Sequence, residues 1–204
     1  MITFDEFLEI IGVWTQVTGA VIASIGSTII VKGETEEAEV IGTELVVIGN
    51  GVEAVGNSFQ AVALSITDEE EAGLQFAIIG AWTQAAGNSA NAVAGTIQLQ
   101  GEEEEGTKLD VVGDSLQSIG ATFEAISASM DEDPDELTRL AIQGASLQAI
   151  GAMIEAIGAI YILRGRKDEG EQIEAFGSYA QTAGATISAI ANTEDILTED
   201  RFLY

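Results

Sequence analysis

Small and large apolar residues alternate with polar ones at a helical spacing along nearly the whole chain. Ile or Val commonly precedes a glycine, and a larger apolar residue recurs three positions after it, as in Ile11-Gly12-Val13-Trp14-Thr15 and Ile79-Gly80-Ala81-Trp82-Thr83. Recurrence at three, four and seven residues marks one face of an α-helix. The glycines make the step explicit. They form ladders of seven: Gly12-Gly19-Gly26-Gly33, Gly42-Gly49-Gly56, Gly73-Gly80-Gly87, Gly106-Gly113-Gly120, Gly144-Gly151-Gly158-Gly165 and Gly170-Gly177-Gly184. Of the 23 glycines, only Gly51, Gly95 and Gly101 stand outside. Seven residues are two helical turns, so each ladder is a stripe along one helix.

Aligned on Gly12, Gly42, Gly80, Gly113, Gly144 and Gly177, the chain reads as six degenerate copies of one unit about 33 residues long. The predicted repeats span 3–32, 36–66, 68–100, 107–130, 134–164 and 169–192, followed by an acidic tail, 193–204, with the apolar tip Phe202-Leu203-Tyr204. Start signals agree with helices. Thr3-Phe4-Asp5-Glu6 and Thr67-Asp68-Glu69-Glu70 read as capping boxes, Thr107–Asp110 as a weaker one, and Asp133-Pro134 as an N-cap with proline at the first helical position. Gly33 and Gly165 read as stops. Short polar connections make neighbours antiparallel. The expectation is an all-α fold of six long antiparallel helices in a single repetitive domain, packed through Gly/Ala seams. A β-solenoid would need period-two alternation, which the heptad step lacks.

Interior glycine costs roughly 1 kcal/mol relative to alanine in a helix, so a tertiary gain must offset it. Close backbone approach is that gain. Gly12, Gly19, Gly26, Gly42, Gly49, Gly56, Gly80, Gly87, Gly113, Gly120, Gly144, Gly151, Gly158, Gly177 and Gly184 are the expected close-packing positions. Four residues beyond the glycines runs a polar column, which includes Gln16, Glu53, Gln84, Gln117, Glu124, Gln148, Glu155 and Gln181. It lies about 40° from the glycine stripe on a helical wheel and so borders the seam. Three roles suit it: a rim of amides bonded to backbone or water, an inward ladder fixing register, or a polar pore lining.

Composition narrows the chemistry. With 34 acidic against 7 basic residues the formal charge is −27, which opposes binding to nucleic acid or anionic surfaces. Cys and His are both absent, which excludes disulfides, thiolate zinc sites and His-dependent triads. No phosphate loop or nucleophile elbow occurs. Asp131, Asp133 and Asp135 imitate the start of a calcium loop, but Glu136 stands where its glycine is required. The run Glu102–Glu105 reads as a solvated loop able to attract divalent cations weakly, and Trp14 and Trp82 as core or interface anchors. No catalytic residue, cofactor or structural metal is expected. The acidic N-terminus lacks a basic signal-peptide region, which suggests the cytoplasm or a cell- or spore-associated assembly.

The units Ile11-Gly-Val-Trp-Thr-Gln-Val-Thr-Gly19 and Ile79-Gly-Ala-Trp-Thr-Gln-Ala-Ala-Gly-Asn88 resemble that of an uncharacterised family of repetitive Gly/Ala-rich helical proteins of spore-forming bacilli. The resemblance implies a repetitive, bacterial, α-helical protein and carries no activity; Val46 departs from it at the Gln position of the second copy. The leading functional expectation is a non-enzymatic structural protein that assembles with itself into an oligomer, fibre or layer. The second is a membrane-associated or pore-forming protein, since Leu74–Gln100 carries no charge. Against it, Gln75, Gln84, Asn88, Ser89, Asn91, Gln98 and Gln100 in that stretch would be costly facing lipid. The third is a carrier of an apolar ligand.

Overall fold

A computed structural model describes residues 2–67 and 73–202. All of its regular structure is helical: α1 (Phe4–Lys32), α2 (Glu36–Ile66), α3 (Leu74–Leu99), α4 (Glu103–Ala128), α5 (Glu136–Leu163) and α6 (Lys167–Phe202). Each helix packs on the next, and α6 closes onto α1. Among the described residues no two helices across the ring pack backbone against backbone, so the six form a closed barrel with no helix at its centre.

The glycine ladders zip three hairpins. Gly12 faces Gly56, Gly19 faces Gly49 and Gly26 faces Gly42 between α1 and α2. Gly80 faces Gly120, Gly87 faces Gly113 and Gly106 faces Ala94 between α3 and α4. Gly144, Gly151 and Gly158 face Gly184, Gly177 and Gly170 between α5 and α6. A Cβ added at Gly19 would lie 2.6 Å from the carbonyl oxygen of Gly49, inside any tolerable contact. Backbone therefore rests on backbone, and every expected close-packing glycine faces a helix of its own chain. Gly73 extends the third ladder differently. It caps α3 at a φ of 96°, with the Ser127 hydroxyl donating to its carbonyl at 2.9 Å.

The three hairpins join through looser seams. Between α1 and α6 these are hydroxyl contacts: Ser24 with Ser178 at 3.0 Å and with Thr182 at 2.7 Å, and Thr182 donating to the Ala20 carbonyl at 3.1 Å. Ser118 donates to the Ala149 carbonyl at 2.9 Å between α4 and α5.

Several helix ends differ from expectation. Thr3 and Glu6 form the predicted capping box. At α5 the cap is Asp135, whose carboxylate accepts from the Thr138 amide at 2.8 Å, and Pro134 lies outside the helix. Asp133 is instead held by the Asp131 carboxylate at 2.9 Å. Glu103–Glu105 are not loop but the first turn of α4, where the positive end of the helix dipole favours acids. α6 continues past 192 to Phe202, so residues 193–202 extend a helix rather than leave it. Thr67, expected to open a capping box, instead closes α2 as its C-cap, and Asp68–Glu70 of that box, like Leu203 and Tyr204 of the apolar tip, lie outside the described residues.

Candidate functional site: an acidic chamber in a polar lumen

The barrel is polar inside and apolar outside. Among the described residues, apart from Val13 and Val17, every buried apolar side chain is alanine. The largest fully buried side chains are Gln84, Val13, Asn57 and Asn88. Large apolar residues face outward instead: Phe176 is 65% exposed, Ile150 56% and Phe7 53%. Trp14 and Trp82, expected as core or interface anchors, are 42% and 47% exposed on this outer surface.

Glycine explains how the polar column enters the interior. The side-chain stems of seven of the eight column residues lie across a glycine of the facing helix: Glu53 over Gly19, Gln84 over Gly120, Gln117 over Gly87, Glu124 over Gly80, Gln148 over Gly184, Glu155 over Gly177 and Gln181 over Gly151. A side chain on the facing residue would fill that space. The ladder and the column are thus two halves of one device, and the column is inward rather than a rim. Its eighth member, Gln16, is also buried.

Its amides pair with one another and with the carboxylates. Gln16 donates to Gln148 at 2.7 Å and accepts from Gln60 at 3.0 Å, tying α2, α1 and α5 together across the lumen. Gln148 donates to Ser188 at 3.3 Å, and Gln84 to Glu124 at 2.6 Å. Gln181 donates to Glu155.

On one side of the Gln16 bridge lies a central cavity of about 80 Å³, with lining residues from all six helices. At ~10–15 Å³ per water on this measure it has room for roughly five waters or more. Glu53, Asp110, Asp114, Glu155, Glu171 and Glu174 converge on it, and no Lys or Arg lines it. Asp114 is 3% exposed; one carboxylate oxygen accepts from Asn91 at 2.5 Å and the other has no protein partner. One carboxylate oxygen of Glu174 and the amide oxygen of Asn91 are likewise unpartnered. Among the described residues no three acidic side chains are spaced to ligate one ion directly.

Beside the chamber, at the end where α6 begins, the Lys167 ammonium contacts Glu39 of α2 at 2.5 Å and Glu171 at 3.8 Å. Burial pulls its pKa down, but hydrogen bonding and attraction to Glu39 outweigh it, so the value stays raised and the group charged. Burial also raises the Glu171 carboxyl, with Lys167 opposing.

Of the expected column, Glu53, Gln117, Glu155 and Gln181 line the chamber, while Gln16, Gln84, Glu124 and Gln148 lie outside its lining. Sequence reasoning missed Asp114 as a site residue. The signal was its slot: the position after the first glycine holds Val13, Thr43, Ala81, Ala145 and Ser178 in the other copies.

No curated protein and no solved structure matches the chain. A family model does match, over residues 7–189, most of its length. The chain therefore belongs to DUF6944, a family of unknown function.

Proposed function

We propose that the protein is a non-enzymatic, membrane-spanning helical barrel whose polar lumen forms a water-filled path for small polar or cationic species. The observation that carries this reading is the uncharged apolar belt around a polar interior. Along residues 10–31, 45–66, 74–99, 109–128, 140–163 and 175–193 the charged side chains are Glu53, Asp110, Asp114, Glu124 and Glu155, and none of them is exposed. Each stretch holds roughly 20 residues or more, about 30 Å at ~1.5 Å per residue, which matches the ~30 Å hydrocarbon layer.

Two further features support it. Outward-facing hydroxyls in the belt bond to their own helix: Thr18 to the Trp14 carbonyl at 2.8 Å, Ser89 to Ala85 at 2.7 Å, Thr96 to Ala92 at 2.8 Å and Thr122 to Ser118 at 2.7 Å. Such groups need no water. Of the α3 amides, Gln84, Asn88 and Asn91 are turned inward, while Gln75, in the first turn at the edge of the belt, is exposed. Among the described residues, α1 and α5 alone qualify as spans by length and composition, with mean hydropathies of 1.5 and 1.6. The lumen-facing amides, carboxylates and glycines lower the average of the other four, as expected of helices with one lipid face and one wet face.

Assembly through glycine seams finds less support, because those seams are occupied within the chain. An apolar-ligand carrier would need an apolar cavity, and the central one is acidic. Fractionation of expressing cells tests the reading. The protein is expected in the membrane pellet after alkaline carbonate washing and to require detergent for extraction. A monodisperse protein in detergent-free buffer would overturn it.

A further inference from the structure

We propose that the acidic chamber is a binding site for a hydrated divalent cation, with the Lys167 ammonium as a built-in competitor at its mouth. The charge argument comes first. Six carboxylates share a lining without one basic side chain, so their charge must be compensated by bound protons or by a cation. The second observation is independent. Asp114 is buried with one carboxylate oxygen unpartnered, and the unpartnered oxygens of Asn91 and Glu174 belong to the same lining. Three acceptors without donors call for a ligand that is positive or carries donors.

The spacing selects the form of the cation. Since no three acidic groups can ligate one ion directly, an ion here keeps much of its own water and meets the wall through it. Ca²⁺ takes six to eight oxygen ligands, typically several from protein, whereas Mg²⁺ dehydrates reluctantly and is held by one or two carboxylates plus water. The cavity volume, room for roughly five waters or more, suits such a hydrated ion. Lys167 already occupies the cation's role at the rim, bridging Glu39 and the chamber residue Glu171. An entering ion competes with it for Glu171.

The test is calorimetric titration of MgCl₂ into the full chain in detergent micelles, after chelator treatment and at constant ionic strength. One saturable site is expected in the wild type, weakened at least about tenfold by Asp114→Asn or Glu174→Gln and tightened by Lys167→Met. Weak, non-saturating heats, as the acidic surface alone would give, overturn the proposal. So does a saturable site unchanged in both chamber variants, or equal binding of NaCl. Neutralisation of the chamber by protons alone would appear as the first of these outcomes. The proposal deepens the pore reading, but binding is measured in micelles. It can therefore fail while membrane fractionation succeeds, and the reverse.

Discussion

At the scale of the residue, glycine does two jobs with one missing atom. It lets carbonyl and backbone of paired helices touch, and it leaves a trough for the stem of a long polar side chain from the facing helix. Its cost therefore depends on position, which can be measured. Gly87→Leu would drive its Cβ to within 2.6 Å of the Gly113 carbonyl oxygen and 2.9 Å of the Gln117 backbone nitrogen. Neither atom can yield without parting the hairpin, so a loss of about 3 kcal/mol or more is expected. Gly51, by contrast, has nothing within 4 Å of an added Cβ. There Gly51→Ala should stabilise by about 0.5–1 kcal/mol through helix propensity alone. Denaturation in mixed micelles, followed by circular dichroism, compares the two. Equal effects would remove the close-packing account.

Between elements, two kinds of seam alternate around the barrel. Glycine ladders join α1 to α2, α3 to α4 and α5 to α6, while hydroxyl contacts tie α6 back to α1. Across the lumen the main ties are the amides of Gln60, Gln16 and Gln148, which link α2, α1 and α5 on one side of the acidic chamber. Gln16→Ala removes the central member and leaves two buried amides short of a partner, at about 1–3 kcal/mol. It is also expected to widen the lumen beside the chamber. Proteoliposomes carrying Gln16→Ala should leak small cations faster than those carrying the wild type. An unchanged leak would mean that the bridge does not close the lumen.

For the whole molecule, the ends of the barrel are unequal. Lys32, Lys108, Arg164, Arg166 and Lys167 lie toward the end that carries the chamber mouth, whereas Arg139 lies toward the other. Basic residues flanking spans are retained on the cytoplasmic side, and acidic ones count for little in this bias. The chamber mouth is therefore expected to face the cytoplasm, and the end of the barrel where α1 begins the outside. Because the chain has no cysteine, single substitutions report cleanly. In intact cells, a membrane-impermeant maleimide should label Glu132→Cys, between α4 and α5, and should spare Glu102→Cys until the cells are opened. Ile150→Cys, in the belt, should resist labelling in both states. The reverse pattern at Glu132 and Glu102 would invert the topology, and ready labelling at Ile150 would argue against lipid around the belt.

Much of the architecture was legible in the chain. Helix formation is local, so the heptad ladders, the Thr3 capping box and the short polar connections specified six helices and their antiparallel order. The close-packing glycines were legible for the same reason: only a backbone contact offsets so much lost helix propensity. Even the polar column could be read, since its spacing from the glycines is fixed by the helix. What the period could not supply was the direction each stripe faces. A stripe of Ile, Val, Phe and Trp beside a stripe of Gly and Gln is the same periodic signal whether the apolar side points to a core or to lipid. Only closure of the ring, with α6 on α1 and no helix inside, turned the amides inward and left Trp14 and Trp82 outside. The same closure brought Asp114 of α4 together with Glu53 of α2, Glu155 of α5 and Glu174 of α6. No spacing along the sequence records that meeting, because its members come from four helices and are adjacent only across the lumen.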